Sequence, residues 1–221
     1  MKKVSEIYSE YKIMPALQQH QLRVAAVAAM ICDSIPDVDK ESVVIACLFH
    51  DMGNIIKSDL SYFPEFIQPA GLAYWEKVKQ EYIQKYGADE NAATTEIVKE
   101  IGLPRKAMER IEAIGFPKLP ERVNDPSLEN KICCYADQRV GPHGVLTILE
   151  RLEEGKKRYA GRTNKINTSE LFEKLAKALE EVERQIFTIS SIQPEDITDQ
   201  TIEPYIAVLR EAQLAPLSIE N

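Results

Sequence analysis

His20, the adjacent pair His50-Asp51 and, far downstream, Asp137 are the residues of this chain whose types and order could do chemistry. Two imidazoles and two carboxylates brought to one interior point would suit a divalent transition metal, because this donor set fits manganese, iron, cobalt, nickel or zinc. A buried carboxylate with no partner is costly, so an interior aspartate beside two histidines calls for a cation. Taken singly, each residue reads more readily as a core polar group satisfied by its neighbours than as a ligand. Four of them on core-facing positions, two adjacent in sequence, favour the metal.

The elements that must position them are helices. Leu17, Val24, Val27 and Ile31 recur at helical spacing and His20 shares their stripe, which points its ring inward. Val43 and Cys47 lead to His50, while Val44 and Leu48 lead to Asp51, so the pair stands at the end of an apolar helix. Asp137 lies between Cys133 and Val140 on a third stripe. Pro15 marks the start of the His20 helix and Asp39 can cap the one ending at His-Asp.

The order His, His-Asp and distant Asp on a helical chain resembles the HD-domain metal-dependent phosphohydrolases, closest in pattern to their mononuclear, nucleotidase-like members. The resemblance is carried by Met14-Pro-Ala-Leu-Gln-Gln-His-Gln-Leu-Arg-Val-Ala25, Cys47-Leu-Phe-His-Asp-Met-Gly53 and Tyr135-Ala-Asp137, and spans about residues 14–140. It implies an all-α bundle in which His20, His50, Asp51 and Asp137 hold one divalent metal. The domain reading is a single unit over 1–221, with an HD core at about 14–140 and a C-terminal helical extension over 145–221. Two-metal relatives carry further histidines between His-Asp and the last Asp, whereas this chain has none there, and Asn91 opens a helix where such a histidine often stands.

The chain also departs from its relatives. Many follow His-Asp with a lysine three residues on; here Asn54 takes that place and Lys57 comes one turn later. The nucleotide monophosphatase branch has a glutamate at the Asn54 position and an aspartate at that of Asp59. Asn54 cannot act as a base, which leaves Asp51 and Asp59 as the catalytic carboxylates. Arg23, Lys57 and Arg139 are the candidate contacts to substrate phosphate, with arginine offering bidentate geometry. The implied reaction is hydrolysis of a small phosphomonoester, a nucleotide by analogy, by water activated at the metal. The alternative is a catalytically weak module that binds metal and nucleotide in a regulatory role.

Composition narrows the remaining choices. With 221 residues and 44% hydrophobic content the chain can bury a full core. A net charge of −8 disfavours nucleic acid polymers and anionic membranes as partners and leaves small molecules. Cys32, Cys47, Cys133 and Cys134 lie in apolar helical stretches and read as reduced core residues. The Met-Lys-Lys start lacks a signal-like apolar run, so the expected location is the cytoplasm. A basic cluster of Lys156, Lys157, Arg158, Arg162 and Lys165 could attract phosphate or simply end a helix. His143, between Pro142 and Gly144, reads as a surface residue.

Further helices are expected at about 71–86, 90–101, 104–114, 145–158, 169–188 and 203–213. Residues 58–70, rich in proline and aromatics, make a candidate lid, and Phe116–Asp125 an irregular connection. Strand-type alternation is confined to short ambiguous runs.

Overall fold

The computed structural model describes residues 2–159 and 169–214. The chain forms a short strand β1 (Lys2–Lys3) and helices α1 (Val4–Glu10), α2 (Pro15–Asp33), α3 (Lys40–Phe49), α4 (Leu72–Tyr86), α5 (Glu90–Ile101) and α6 (Arg105–Ala113). Next come α7 (Leu119–Val123), α8 (Leu128–Gln138), α9 (Ile148–Tyr159), α10 (Ser169–Phe187), α11 (Asp199–Glu211) and a closing strand β2 (Gln213–Leu214). The fold is all-α.

Helix α2 is the post around which the site is built. Pro15 occupies its first turn, where a missing N–H leaves nothing unpaired. Its buried face is mostly small: Ala25, Ala26, Ala28 and Ala29 alternate with Val24, Val27 and Ile31. Such a face lets neighbouring backbones come close, and α3, α8 and α11 all pack on it. Helix α3 starts where Asp39 accepts the Ser42 N–H at 3.2 Å, the expected cap. At its far end Tyr8 of α1 donates to the Leu48 carbonyl at 2.5 Å, partnering an acceptor that the helix terminus leaves open.

The C-terminal helices share this core. Leu175, Leu179, Val182 and Ile186 of α10 are buried as their spacing demands, against α7 and α8. Each such side chain contributes about 1.5–3 kcal/mol when removed from water. Buried apolar residues form one continuous cluster from Val4 to Leu209.

Several boundaries differ from the sequence reading. Helix α11 begins at Asp199 rather than near 203, because the Thr198 hydroxyl caps it by accepting the Thr201 N–H, and Pro204 is carried inside. The 116–125 connection holds a 3-10 turn and the short α7, since Pro117 and Pro120 fall in first turns where proline is tolerated. Helix α1 and the antiparallel ladder pairing Lys2 with Leu214 and Lys3 with Gln213 have no counterpart in that reading. Strands of two residues carry no alternation to detect. Of the basic cluster, Arg162 and Lys165 lie outside the described residues, while the Lys156 ammonium sits 4.7 Å over the Phe172 ring.

Arg139 requires a correction. Expected at the rim of the metal cavity, it is only 2% exposed. Its guanidinium donates to Tyr135 Oη at 2.6 Å, to the Pro194 and Ile197 carbonyls at 3.2 Å, and to the Leu146 carbonyl. These bonds tie α8 to the segment that leads into α11 and leave no fork for a phosphate. Arg139→Lys, with fewer and differently directed donors, should therefore strand buried carbonyls and lower Tm by roughly 5–10 °C in a thermal melt. An unchanged Tm would show that the guanidinium does not hold these segments.

Candidate metal centre

Three helices deliver the ligand set. His20 comes from the second turn of α2, His50 caps the C-terminus of α3, and Asp137 lies in the last turn of α8. Their ligating atoms all lie within 4.8 Å of one another. Asp137 Oδ1 is 3.3 Å from His20 Nε2 and 3.4 Å from His50 Nε2. Asp51 stands slightly further off, its Oδ2 3.7 Å from each of the two Nε2 atoms. The four residues picked from sequence are thus brought to one place.

Three of the four candidate ligands are oriented from behind. The Cys47 carbonyl lies 2.8 Å from His50 Nδ1, which acts as the donor, so the other ring nitrogen faces the cluster. Gln138 Nε2 donates to Asp137 Oδ2 at 2.7 Å and leaves Oδ1 for the imidazoles. Gln21 accepts the Asp51 N–H at 3.2 Å, and Asn54 Nδ2 donates to Asp51 Oδ2 at 2.6 Å. Gln21, Gln138 and this role of Asn54 escape a reading of ligand types alone. Their signal is present: Gln21 directly follows His20 and Gln138 directly follows Asp137.

A divalent metal fits this arrangement. His50 Nε2 is fully buried without a hydrogen-bond partner, an orphan that a cation would satisfy. Two imidazoles and two carboxylates form a donor set of mixed hardness suited to first-row transition ions. Burial alone lowers the affinity of His50 for a proton, but the Asp51 and Asp137 carboxylates outweigh it and raise its pKa from 6.5 to about 9. Burial alone would raise Asp137, yet the His20 and His50 rings beside its carboxylate hold it well below the usual carboxylate range.

The remaining candidates fall around this centre unevenly. Lys57 is half-exposed, with its Nζ 3.4 Å from Glu90 Oε1. Burial opposes its charge, but Asp51, Glu90 and Asp137 raise its pKa above the ordinary value. Arg23, one turn beyond His20, has its Nε 3.6 Å from Asp199 Oδ1. Asp59 is exposed and accepts from the Ser61 N–H at 3.1 Å and the Ser61 hydroxyl at 2.7 Å. In the candidate lid Phe63 and Phe66 pack their rings 5.5 and 5.4 Å from that of His143. His143 is exposed and serves as an aromatic partner there.

Residues 17–139 match the HD domain family, and that stretch contains the whole cluster, from His20 to Asp137. The chain belongs to the HD domain family. These domains bind divalent metals and are generally hydrolases of the phosphohydrolase type. Comparison with curated proteins and with solved structures found no match. Among the described residues no helix is long and apolar enough to cross a membrane. All four cysteines are free and buried, as their apolar context suggests.

Removing a ligand should empty the site without unfolding the bundle. His50→Ala and Asp51→Ala should abolish stoichiometric metal uptake, read by elemental analysis, while far-UV circular dichroism stays helical; full occupancy in both would break the assignment.

Protons and metal compete for the same atoms. His50 titrates above its ordinary 6.5 in the folded chain, so its contribution to apo-protein stability is complete below that value and is lost as pH rises through about 9. Ligation needs the neutral ring, so divalent-ion affinity should climb over this window, and uptake near pH 7 should release about one proton per ion from His50. Calorimetry in buffers of different ionisation enthalpy measures that release; none would contradict the raised value.

Proposed function

We propose that this HD-domain protein is a metal-dependent phosphohydrolase of small phosphomonoesters, with nucleotides the favoured substrate class. The observation that carries the reading is the buried, unpartnered His50 Nε2 facing Asp137 Oδ1, with His20 and Asp51 beside it. His20, His50, Asp51 and Asp137 would hold one divalent ion of the manganese-to-zinc series. When bound, the ion would supply a Lewis acid for a phosphoryl oxygen and make water more acidic.

The chain's own residues supply the rest. Lys57 keeps its charge at neutral pH and stands near Asp51 and Asp137 in electrostatic terms, which suits it to a phosphate oxygen. Arg23 can offer its guanidinium from the His20 side, in competition with Asp199. Asp51 and Asp59 are the carboxylates available to take a proton from attacking water, because Asn54 spends its amide on Asp51. The net charge of −8 favours a small substrate over a polyanionic polymer. Four reduced, buried cysteines fit a cytoplasmic setting.

The test separates an enzyme from a metal- and nucleotide-binding regulatory module. Purified protein screened against phosphomonoesters with added Mn2+, Fe2+, Co2+, Ni2+ or Zn2+ should turn over at least one nucleoside monophosphate. Asp59→Asn keeps an acceptor for Ser61 but removes the charge, and should lower turnover by roughly 100- to 10,000-fold with metal content unchanged. Unchanged turnover would leave Asp51 as the only proton carrier. Stoichiometric metal with no turnover on any substrate would favour the module.

A further inference from the structure

The segment after His50-Asp51 is wound tightly enough to stack side chains. Asn54 N–H donates to the Asp51 carbonyl at 3.0 Å, Ile56 N–H to Gly53 at 3.1 Å, and Ser58 N–H to Ile55 at 3.2 Å. In a three-residue winding side chains three positions apart eclipse, an arrangement that would put Asp51, Asn54 and Lys57 in one column. The lower step of the column is closed by the 2.6 Å bond from Asn54 Nδ2 to Asp51 Oδ2. Asn54 Oδ1 is buried with no partner. At the top of the column the Lys57 ammonium meets Glu90, the first residue of α5.

Glu90 is held in place by backbone. Its carbonyl accepts the Thr94 hydroxyl at 2.9 Å, and Thr94 Oγ1 in turn accepts the Gly53 N–H at 2.9 Å. A Cβ on Gly53 would lie only 2.4 Å from the Glu90 carbonyl oxygen, so only glycine lets α5 press this closely on the His-Asp segment. A carboxylate in the first turn of a helix is also favoured by the aligned peptide dipoles.

We infer that Glu90 is a positioning residue, which anchors the Lys57 ammonium at the rim of the metal cluster and keeps it off the Asp51 carboxylate. The inference rests on the metal-site reading above. Lysine is a point charge on a flexible four-carbon stem and will settle on the most attractive carboxylate within reach. In a column above Asp51, that carboxylate would be a metal ligand. Glu90 provides the competing anion, so Asp51 stays available to the ion while a cation remains at hand for a phosphoryl oxygen. The acid sits on α5, not in the 51–59 stretch where a reading of the motif looks for it.

A double-mutant cycle with Mn2+ titrated calorimetrically into the full chain tests this. Glu90→Gln should weaken Mn2+ binding by about 10- to 100-fold, the range for groups that orient ligands. Part of that loss would follow from the removed charge alone. The decisive quantity is therefore the effect of Lys57→Met in the two backgrounds. It should tighten Mn2+ binding several-fold more in Glu90→Gln than in the wild type, because only there does Lys57 occupy Asp51. Inorganic phosphate should also inhibit the Mn2+-loaded Glu90→Gln protein more weakly. Equal effects of Lys57→Met in both backgrounds would overturn the inference while leaving the metal site intact. No Mn2+ uptake by the wild type would overturn the metal reading and the inference with it.

Discussion

Two imidazole nitrogens from different helices converge on a single oxygen of Asp137, and the rest of the molecule is arranged around keeping them there. The cluster must carry positive charge to be stable, whether as protons or as a metal ion. Without an ion a proton would serve, since the Asp51 and Asp137 carboxylates raise His50 to about 9 and the two rings push Asp137 down. A divalent ion would do the same and would also take up the orphaned Nε2 of His50. The packing of α2, α3 and α8 would thus set proton and metal in competition for the same atoms.

Holding such a cluster requires that none of its members can swing away. Partners behind the cluster restrain three of its members: the Cys47 carbonyl for His50, Gln138 for Asp137, and Gln21 with Asn54 for Asp51. The scaffold behind them is stiff for simple reasons. Alanines on α2 let three helices approach, Tyr8 closes the end of α3, and Thr94 fastens α5 to Gly53. Such partners matter to metal affinity nearly as much as the ligands do.

The region after Asp137 serves the same end at longer range. Arg139 buries its guanidinium against carbonyls from two segments, so the C-terminal helices are locked to α8 immediately beyond the ligand. Asp199 at the start of α11 accepts the Val145 N–H at 3.2 Å and stands near Arg23, joining the loop after α8 to the helix that carries His20. A charged side chain that looks functional from its place beside a ligand is spent here on the frame.

The cluster of His20, His50, Asp51 and Asp137 and the all-α class were legible in the sequence because both depend largely on local information. Helical periodicity places His20, His50 and Asp137 on core faces, and residue chemistry then names what they could hold. Helix caps such as Asp39 and the stripe of α10 are readable for the same reason, since a cap or a stripe acts within a few residues. Arg139 was not legible: its partners lie up to 58 positions away, and nothing local tells a buried hydrogen-bonding arginine from one aimed at a ligand. The start of α11 was missed because two local signals compete there, and the cap at Thr198 prevails over Pro204. The acid opposite Lys57 was equally hidden, because Glu90 reaches it only once α5 has docked against Gly53. Sequence determined which groups exist and which way each helix turns them; tertiary packing decided which groups meet, because contacts between distant elements are set by how whole faces fit.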